Sequence, residues 1–373
     1  MRRDQVSDIR ALMAVCDPIQ GGQQADPGED LAGKCRAIIS SAQPQRRRRL
    51  PRQRVWATAA ACAAVAVIAG FITSDIRSRP AGSAASPSML RYELTGYADP
   101  ADVYSLPPGR SRLLSLAKVA ASQPPPPHPA ADPVGYVATW EWNMTVAVSG
   151  GSSASALVPE IDELWATPGG RAVEVRKDGP AINLSGAQTP RSLQRALDTG
   201  SSTTTYQYAN QDTTGSSAWG FGTPVQTMTG SRAQVQRDLI GGSEYLQGHV
   251  PAGAMTFFLM KSIADLNHQV VSPRLESQLW TMLAGRRNVD YMGMVRDRAG
   301  REGEAFCTTI DAGKPGAERM ILVISPQTGM LLGEEDVFLT NPGGLTIKQF
   351  PTVVGYTTYV TSKWVSKLPS VGR

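Results

Sequence analysis

Nineteen uncharged residues, Val55 to Thr73, follow directly on six arginines, Arg46, Arg47, Arg48, Arg49, Arg52 and Arg54. At helical rise such a run spans roughly 28 Å, close to the hydrocarbon thickness of a bilayer. A cleaved signal peptide would carry its basic region at the extreme N-terminus and have a shorter core; here 54 residues come first. A core helix of a globular domain is seldom apolar all round. The run therefore reads as a single transmembrane helix, and the arginines orient it. By the positive-inside rule they lie in the cytoplasm, against only Arg77 and Arg79 on the far side, and they rest on anionic headgroups. The expected organisation is a short cytoplasmic segment (1–54), a transmembrane helix (55–73), a stalk of small and polar residues (74–89) and an extracytoplasmic domain (90–373).

The basic balance of the chain belongs to that anchor. Residues 1–54 hold 11 Lys+Arg and 6 Asp+Glu, whereas residues 74–373 hold 26 of each. A nucleic-acid-binding domain would need basic excess on its own surface, so no direct nucleic-acid partner is expected. The cysteines fit the same map. Cys16 and Cys35 precede the apolar run, Cys62 lies in it, and only Cys307 follows it. A lone outer cysteine cannot staple its domain, so that domain must stand on an apolar core, with Cys307 as a small buried strand residue.

The cytoplasmic segment offers two short apolar stripes. Val6, Ile9, Leu12 and Met13 recur at helical spacing, as do Leu31, Cys35, Ile38 and Ile39. Leu12, Met13, Ile38 and Ile39 are the candidate contacts for a cytoplasmic partner; a disordered tail is equally compatible with so short a segment. Gly28–Cys35 imitates a phosphate-binding loop but lacks the preceding strand and the Ser/Thr hydroxyl after Lys34. Ser115–Lys118 imitates an S-x-x-K motif without the S-D-N and K-T-G that accompany it.

The outer part reads as α+β, a large curved antiparallel sheet covered by helices. "MLRYELTGY" is expected as a first strand and "SRLLSLAKVAAS" as a helix burying Leu113, Leu114, Leu116 and Ala117. A proline-rich spacer (122–134) follows. In "VGYVATWEWNMTVAV" the residues alternate strictly. Tyr136, Ala138, Trp140, Trp142, Met144, Val146 and Val148 form the expected buried face, with Thr139, Glu141, Asn143 and Thr145 opposite. The Trp140/Trp142 pair is expected in the core rather than facing a ligand. "EIDELWATPGGRAVEVRK" is a hairpin turning at Gly169 and Gly170. Residues 200–222, polar and glycine-rich, read as a surface loop. Two helices follow, one with a stripe of Met255, Phe258, Leu259, Ile263 and Leu266, the other opening at Ser272 and Pro273. Five strands joined mostly by tight turns end the chain, and the two helices are their expected cover.

The stretches "VDYMGMVRDRAGREGEAF" and "LVISPQTGMLLGEE", with the arginine-flanked anchor and the "DELWATPGGR" hairpin, resemble a family of actinobacterial single-pass membrane proteins of undefined activity. Members are often encoded beside extracytoplasmic-function sigma factors, so the resemblance implies regulation of a cytoplasmic sigma factor. The "SPQTGMLLGEE" hairpin is also similar to half-barrel lipoprotein-carrier and sigma-regulator outer domains, which implies that a lipid could occupy the outer domain.

Little points to catalysis. His128 lies in the proline spacer, His249 beside a loop proline, and His268 at a helix end. None falls in a recognisable triad or metal cluster. Glu302, Glu304, Glu334, Glu335 and Asp336 lie near hairpins, where carboxylates are expected to face water. No catalytic residue, metal or cofactor is assigned, and the residues do not name a ligand site. The expected function is a non-enzymatic, membrane-anchored protein with an extracytoplasmic sensing or binding domain, regulating a sigma factor. The alternative is an envelope-tethered carrier of a lipid or another hydrophobic ligand.

Overall fold

A computed structural model describes residues 89–94, 106–128, 133–149, 152–185, 201–208, 228–242, 250, 253–310, 316–343, 345–347 and 349–370, with Leu197 and Val225 besides. The expected anchor Val55–Thr73, its arginines and the stripes Leu12/Met13 and Ile38/Ile39 lie outside these residues. Among the described residues no helix is long and apolar enough to cross a membrane.

The element order is α1 (Arg110–Ser122), β1 (Val134–Ser149), β2 (Ser152–Ala166), β3 (Ala172–Asp178), β4 (Ile182–Asn183), β5 (Ser202–Tyr208), α2 (Arg232–Gly242), α3 (Met255–Leu266), α4 (Pro273–Leu283), β6 (Asp290–Arg296), β7 (Glu302–Ile310), β8 (Glu318–Ile324), β9 (Leu331–Phe338) and β10 (Thr352–Val365). All ten strands join one antiparallel sheet, ordered β5-β3-β2-β1-β10-β9-β8-β7-β6, with β4 beside β2. The closing five-strand meander is as the turn chemistry implies. Its far edge then pairs back onto β1, so the two long hairpin systems form one surface. Register slips at Met292, Leu332, Val354 and Val360 mark bulges, each of which bends and twists its strand.

Among the described residues, helices cover only part of this sheet. α3 packs on β7, β8 and β9, and α4 packs chiefly on α1 as a second layer. Between α3 and the sheet, Phe257, Leu259, Met260, Ile263, Trp280, Phe306, Met320 and Leu322 are all fully buried. The end of the β8–β9 hairpin is locked under the helices. Trp280 donates its indole N–H to the Gly329 carbonyl at 2.6 Å. Gly329 has φ 67°, and a Cβ there would lie 2.7 Å from Ala120 and from the Leu116 carbonyl.

Three expectations change. Residues 89–94 make no regular strand; Glu93 and Leu94 donate to Met294 and Met292 carbonyls, adding two bonds to the edge of β6. Within 200–222, Ser202–Tyr208 is a strand rather than loop. It is exposed along most of its length, so no apolar alternation betrays it. The third concerns the buried side of β1. Val134, Val137, Thr139 and Glu141 are the buried residues, whereas Tyr136, Trp140 and Trp142 are only half-buried and Val146 is exposed. The aromatic residues stack among themselves on the outer side, Tyr136 on Trp165 at 4.8 Å and Trp142 on Tyr356 at 5.7 Å. The inner side of β1 packs into the apolar core at Val137 and is held by hydrogen bonds at Thr139 and Glu141, near the C-terminal end of α3.

Candidate functional site

Across β9, β10, β1, β2 and β3 the helix-side face of the sheet changes from apolar to charged. Strand pairing sets the rows. Glu141 lies opposite Glu160 and Thr357, Thr139 opposite Asp162 and Tyr359, and Asp162 opposite Arg176. All point to the side on which α3 packs, because side chains paired across strands share a face.

The row begins with an ion pair. Glu141 accepts from Thr139 Oγ1 at 2.6 Å and Asn143 Nδ2 at 3.2 Å, and His268 Nε2 lies 3.1 Å from it. His268 follows α3, and its Nδ1 faces the Asp265 carbonyl at 3.3 Å. Both ring nitrogens thus face acceptors, which only the imidazolium satisfies. Burial alone would push the imidazole down, but the hydrogen bond and charge of Glu141 raise it to about 10. Burial likewise would raise Glu141, yet His268, Thr139 and Asn143 hold it at about 2.

Beyond this pair lies a carboxylate cluster on β2 and β3. Arg176 stands within 2.8 Å of Glu174, 3.6 Å of Glu160 and 3.8 Å of Asp162. Tyr208 donates to Glu174 at 2.7 Å, and the Arg176 guanidinium lies 5.9 Å from the Tyr206 ring. Asp162 rises to about 7, through burial first and then the charges of Glu174 and Glu141. Glu160 is raised by burial and by Glu141 and Asp178. Asp162 Oδ1 is buried without a donor. Four carboxylates therefore face one guanidinium and one imidazolium, and no helix packing comparable to that of α3 covers β2, β3 or β5 among the described residues.

On β9 the expected solvent-facing acids are mostly enclosed. Lys261 of α3 pairs with Asp336. Glu334 accepts from Thr357 at 3.1 Å, and burial pushes it up to about 8. On the other face Glu335 is buried, accepting from Tyr92 at 2.6 Å and pairing with Arg298, which lies 4.0 Å over the Tyr356 ring. Glu304 is buried against Arg112 through two bonds of 2.6 and 2.8 Å. Only Glu302 keeps an exposed carboxylate, beside Arg296. The correction has one cause: each acid meets a cation or hydroxyl distant in sequence, which hairpin position cannot reveal.

The two stretches that carry the resemblance serve the architecture. In "DRAGR" Asp297 accepts from the backbone N–H groups of Ala299 and Arg301, and Arg301 donates to the carbonyls of Leu332 and Tyr359 at 2.9 and 2.8 Å. Those carbonyls sit at the bulges of β9 and β10, where the ladder is interrupted. "PQTG" is the tip that Trp280 holds. Cys307 is buried in β7, as its isolation implies, and burial raises its thiol to about 12. His128 lies beside Trp364 at 4.9 Å, away from His268; His249 is outside the described residues. Among the described residues no group of three His, Cys, Asp or Glu side chains could hold a metal. The reasoning from sequence missed Asp162, Glu174 and Arg176. The clue was polar alternation: Glu160/Asp162 and Glu174/Arg176/Asp178 fall on one face of consecutive strands.

No family model matches the chain, and no curated protein does. Among solved structures the chain is similar to a DUF1329 family protein from Desulfovibrio piger, at 9% identity, over 73% of this chain and 96% of that one, with a TM-score of 0.17. So loose an overlap carries no inference about ligand or mechanism.

Proposed function

We propose that the chain is a membrane-tethered recognition protein. Residues 1–54 lie inside the cell, the sheet domain lies outside, and the ligand surface is the helix-side face of β1, β2, β3 and β5. One observation carries the reading. The sheet face that bears a solid apolar core under α3 continues as a row of carboxylates around Arg176, bounded by Tyr206 and Tyr208. A surface meant for another helix would be apolar. Asp162 and Glu160, whose proton affinity is raised, share the single Arg176 guanidinium with Glu174, a crowding that an additional cation would relieve. The ligand class is a small polar molecule bearing an amine or other positive group. Its role is recognition, since the one imidazole is locked as a cation by Glu141 and Asp265. Where a carried acyl chain would lie, Phe257, Leu259, Met260 and Trp280 fill the space, which favours the polar ligand over the lipid carrier. In this reading the stripes Leu12/Met13 and Ile38/Ile39 pass the signal to a cytoplasmic partner, a sigma factor in the role the resemblance implies.

The test is a thermal-shift titration of the full chain in detergent with spermidine, and with phosphatidylglycerol micelles as the lipid probe. Spermidine should raise the unfolding temperature saturably, and Asp162→Asn with Glu174→Gln should abolish the rise. A rise with the lipid alone, or an amine response that survives both substitutions, overturns the reading.

A further inference from the structure

A buried carboxyl stands where the helix layer meets the tip of the β8–β9 hairpin. Glu276 and Trp280 lie four residues apart on α4 and so share a face of that helix. Trp280 donates to the Gly329 carbonyl at 2.6 Å, and Glu276 Oε1 accepts from Leu331 N at 3.4 Å. Two side chains of one helix therefore grip the chain on either side of Met330. The second of these bonds is longer than the usual N–H···O range. Glu276 has no exposed surface, and its Oε2 meets no donor among the described residues.

The surroundings of this carboxyl hold no cation. α4 itself buries Leu275, Leu279 and Leu283 beside it. The residues that α1 buries are Leu113, Leu116, Ala117 and Ala120, and those of α2 are Val235 and Leu239. From the turn between α3 and α4 comes Asn267, an uncharged donor; from β9 comes the Leu331 amide. Tyr359 of β10 is the titratable side chain that feels Glu276, and its hydroxyl is already spent on the Ala264 carbonyl at 2.6 Å. No charged side chain acts on Glu276: burial raises it first, and the bonds from Leu331 N and Asn267 oppose that only in part, leaving it at about 8. A carboxylate in this place would be a buried charge without a partner. The closed contact thus requires the proton.

We propose that the contact of α4 with the hairpin tip is a pH-operated latch, closed while Glu276 carries its proton and opened when the carboxyl ionises and water reaches it. Opening releases the Leu331 amide and the Gly329 carbonyl together, and with them the tip that Gly329 seats against Ala120 and the Leu116 carbonyl of α1. It leaves the strand pairing of β7 in place. The closed form holds the proton more tightly than the open one. Opening is therefore insensitive to pH below about 4.5, rises about tenfold per pH unit from there to about 8, and levels off above. The latch stands independently of the ligand reading.

Hydrogen exchange of the full chain in detergent tests it, read by mass spectrometry with residue-level fragmentation at pH 5, 6.5 and 8 and corrected for the intrinsic rate. Local opening shows as exchange faster than global unfolding allows. Protection of the Leu331 amide should fall on the order of a hundredfold from pH 5 to pH 8, and at pH 8 it should exchange faster than Phe306 in β7. Glu276→Gln keeps the shape and the acceptor but cannot ionise, and should hold Leu331 protection level across the range. Trp280→Phe, which loosens the same tip without touching the carboxyl, should speed Leu331 exchange at pH 5 and preserve the slope. A level profile in the unsubstituted chain, a slope that persists in Glu276→Gln, or Leu331 exchanging no faster than Phe306 at pH 8 overturns the proposal.

Discussion

Gly329 and Trp280 together explain why a generic-looking turn is fixed in place. The backbone at 329 lies in the left-handed region, and the space where a Cβ would point is taken by α1. Ala at this position meets both a conformational and a steric penalty. Gly329→Ala should cost about 3 kcal/mol in chemical denaturation, an effect assembled from overpacking and the αL strain. Trp280→Phe leaves the Gly329 carbonyl buried without its donor and should cost about 2 kcal/mol. Because both changes strike one contact, the double variant should fall short of the sum of the two; strict additivity would mean that the turn and the helix are not coupled. A third buried group, Arg319, has no exposed surface, and its Nη1 and Nη2 have no hydrogen-bond partner among the described residues, although Nε reaches Thr309 Oγ1 at 3.2 Å.

Elements were legible in proportion to how far their faces differed. The turns at Gly169, Gly300 and Gly329 and the helix start at Ser272 announce themselves through residues with few alternatives, and Ser272 Oγ does accept from Leu275 N at 3.3 Å. The strand Val134–Ser149 was equally plain, because alternation reports the extended state whichever side is buried. Which side that is depends on where α3 ends, a tertiary fact. Hence Thr139 and Glu141 proved to be the inner residues, and the tryptophans the outer ones. β5 lacks contrasting faces and was invisible for that reason, whereas α2 offers only the short buried stripe Val235 and Leu239. The latch formed by Arg301 was invisible for another: its acceptors are backbone carbonyls about 30 and 60 positions away, at bulges that no sequence pattern marks. If the latch holds the bent part of the sheet, Arg301→Met should lower stability by about 3 kcal/mol. It should also speed amide exchange around Gly333 and Thr361 well before exchange in β7. Uniform acceleration across all strands would show instead that the residue contributes only to global stability.

Considered as a whole, the domain concentrates buried ionisable groups whose folded proton affinities are displaced in the same direction. Burial raises Glu276 to about 8, and burial with neighbouring carboxylates raises Asp162 to about 7 and pushes Glu318 and Glu334 up as well. His268 is raised to about 10 by Glu141. A group bound more tightly by its proton in the folded state contributes stability that is complete below its unfolded value and is lost as pH rises through the folded one. For the carboxylates the loss begins near pH 4 and continues to about 8; for His268 it runs from about 6.5 to about 10. Glu141 works in the opposite sense, its contribution being complete above about 4.5 and lost as pH falls toward about 2. The domain should therefore be most stable near pH 5, with an unfolding temperature that drops steadily toward pH 8. Glu276→Gln preserves the shape and the bond from Leu331 N while removing the titration, so it should flatten the slope between pH 5 and 8. His268→Gln should leave that lower slope largely intact and remove the further decline toward pH 10. Differential scanning calorimetry of the full chain at constant ionic strength reads all three curves. A transition temperature that rises from pH 5 to pH 8 would mean that the enclosed carboxylates are ionised and compensated in the folded state, and that the charged face is a set of closed ion pairs rather than a surface awaiting a cation.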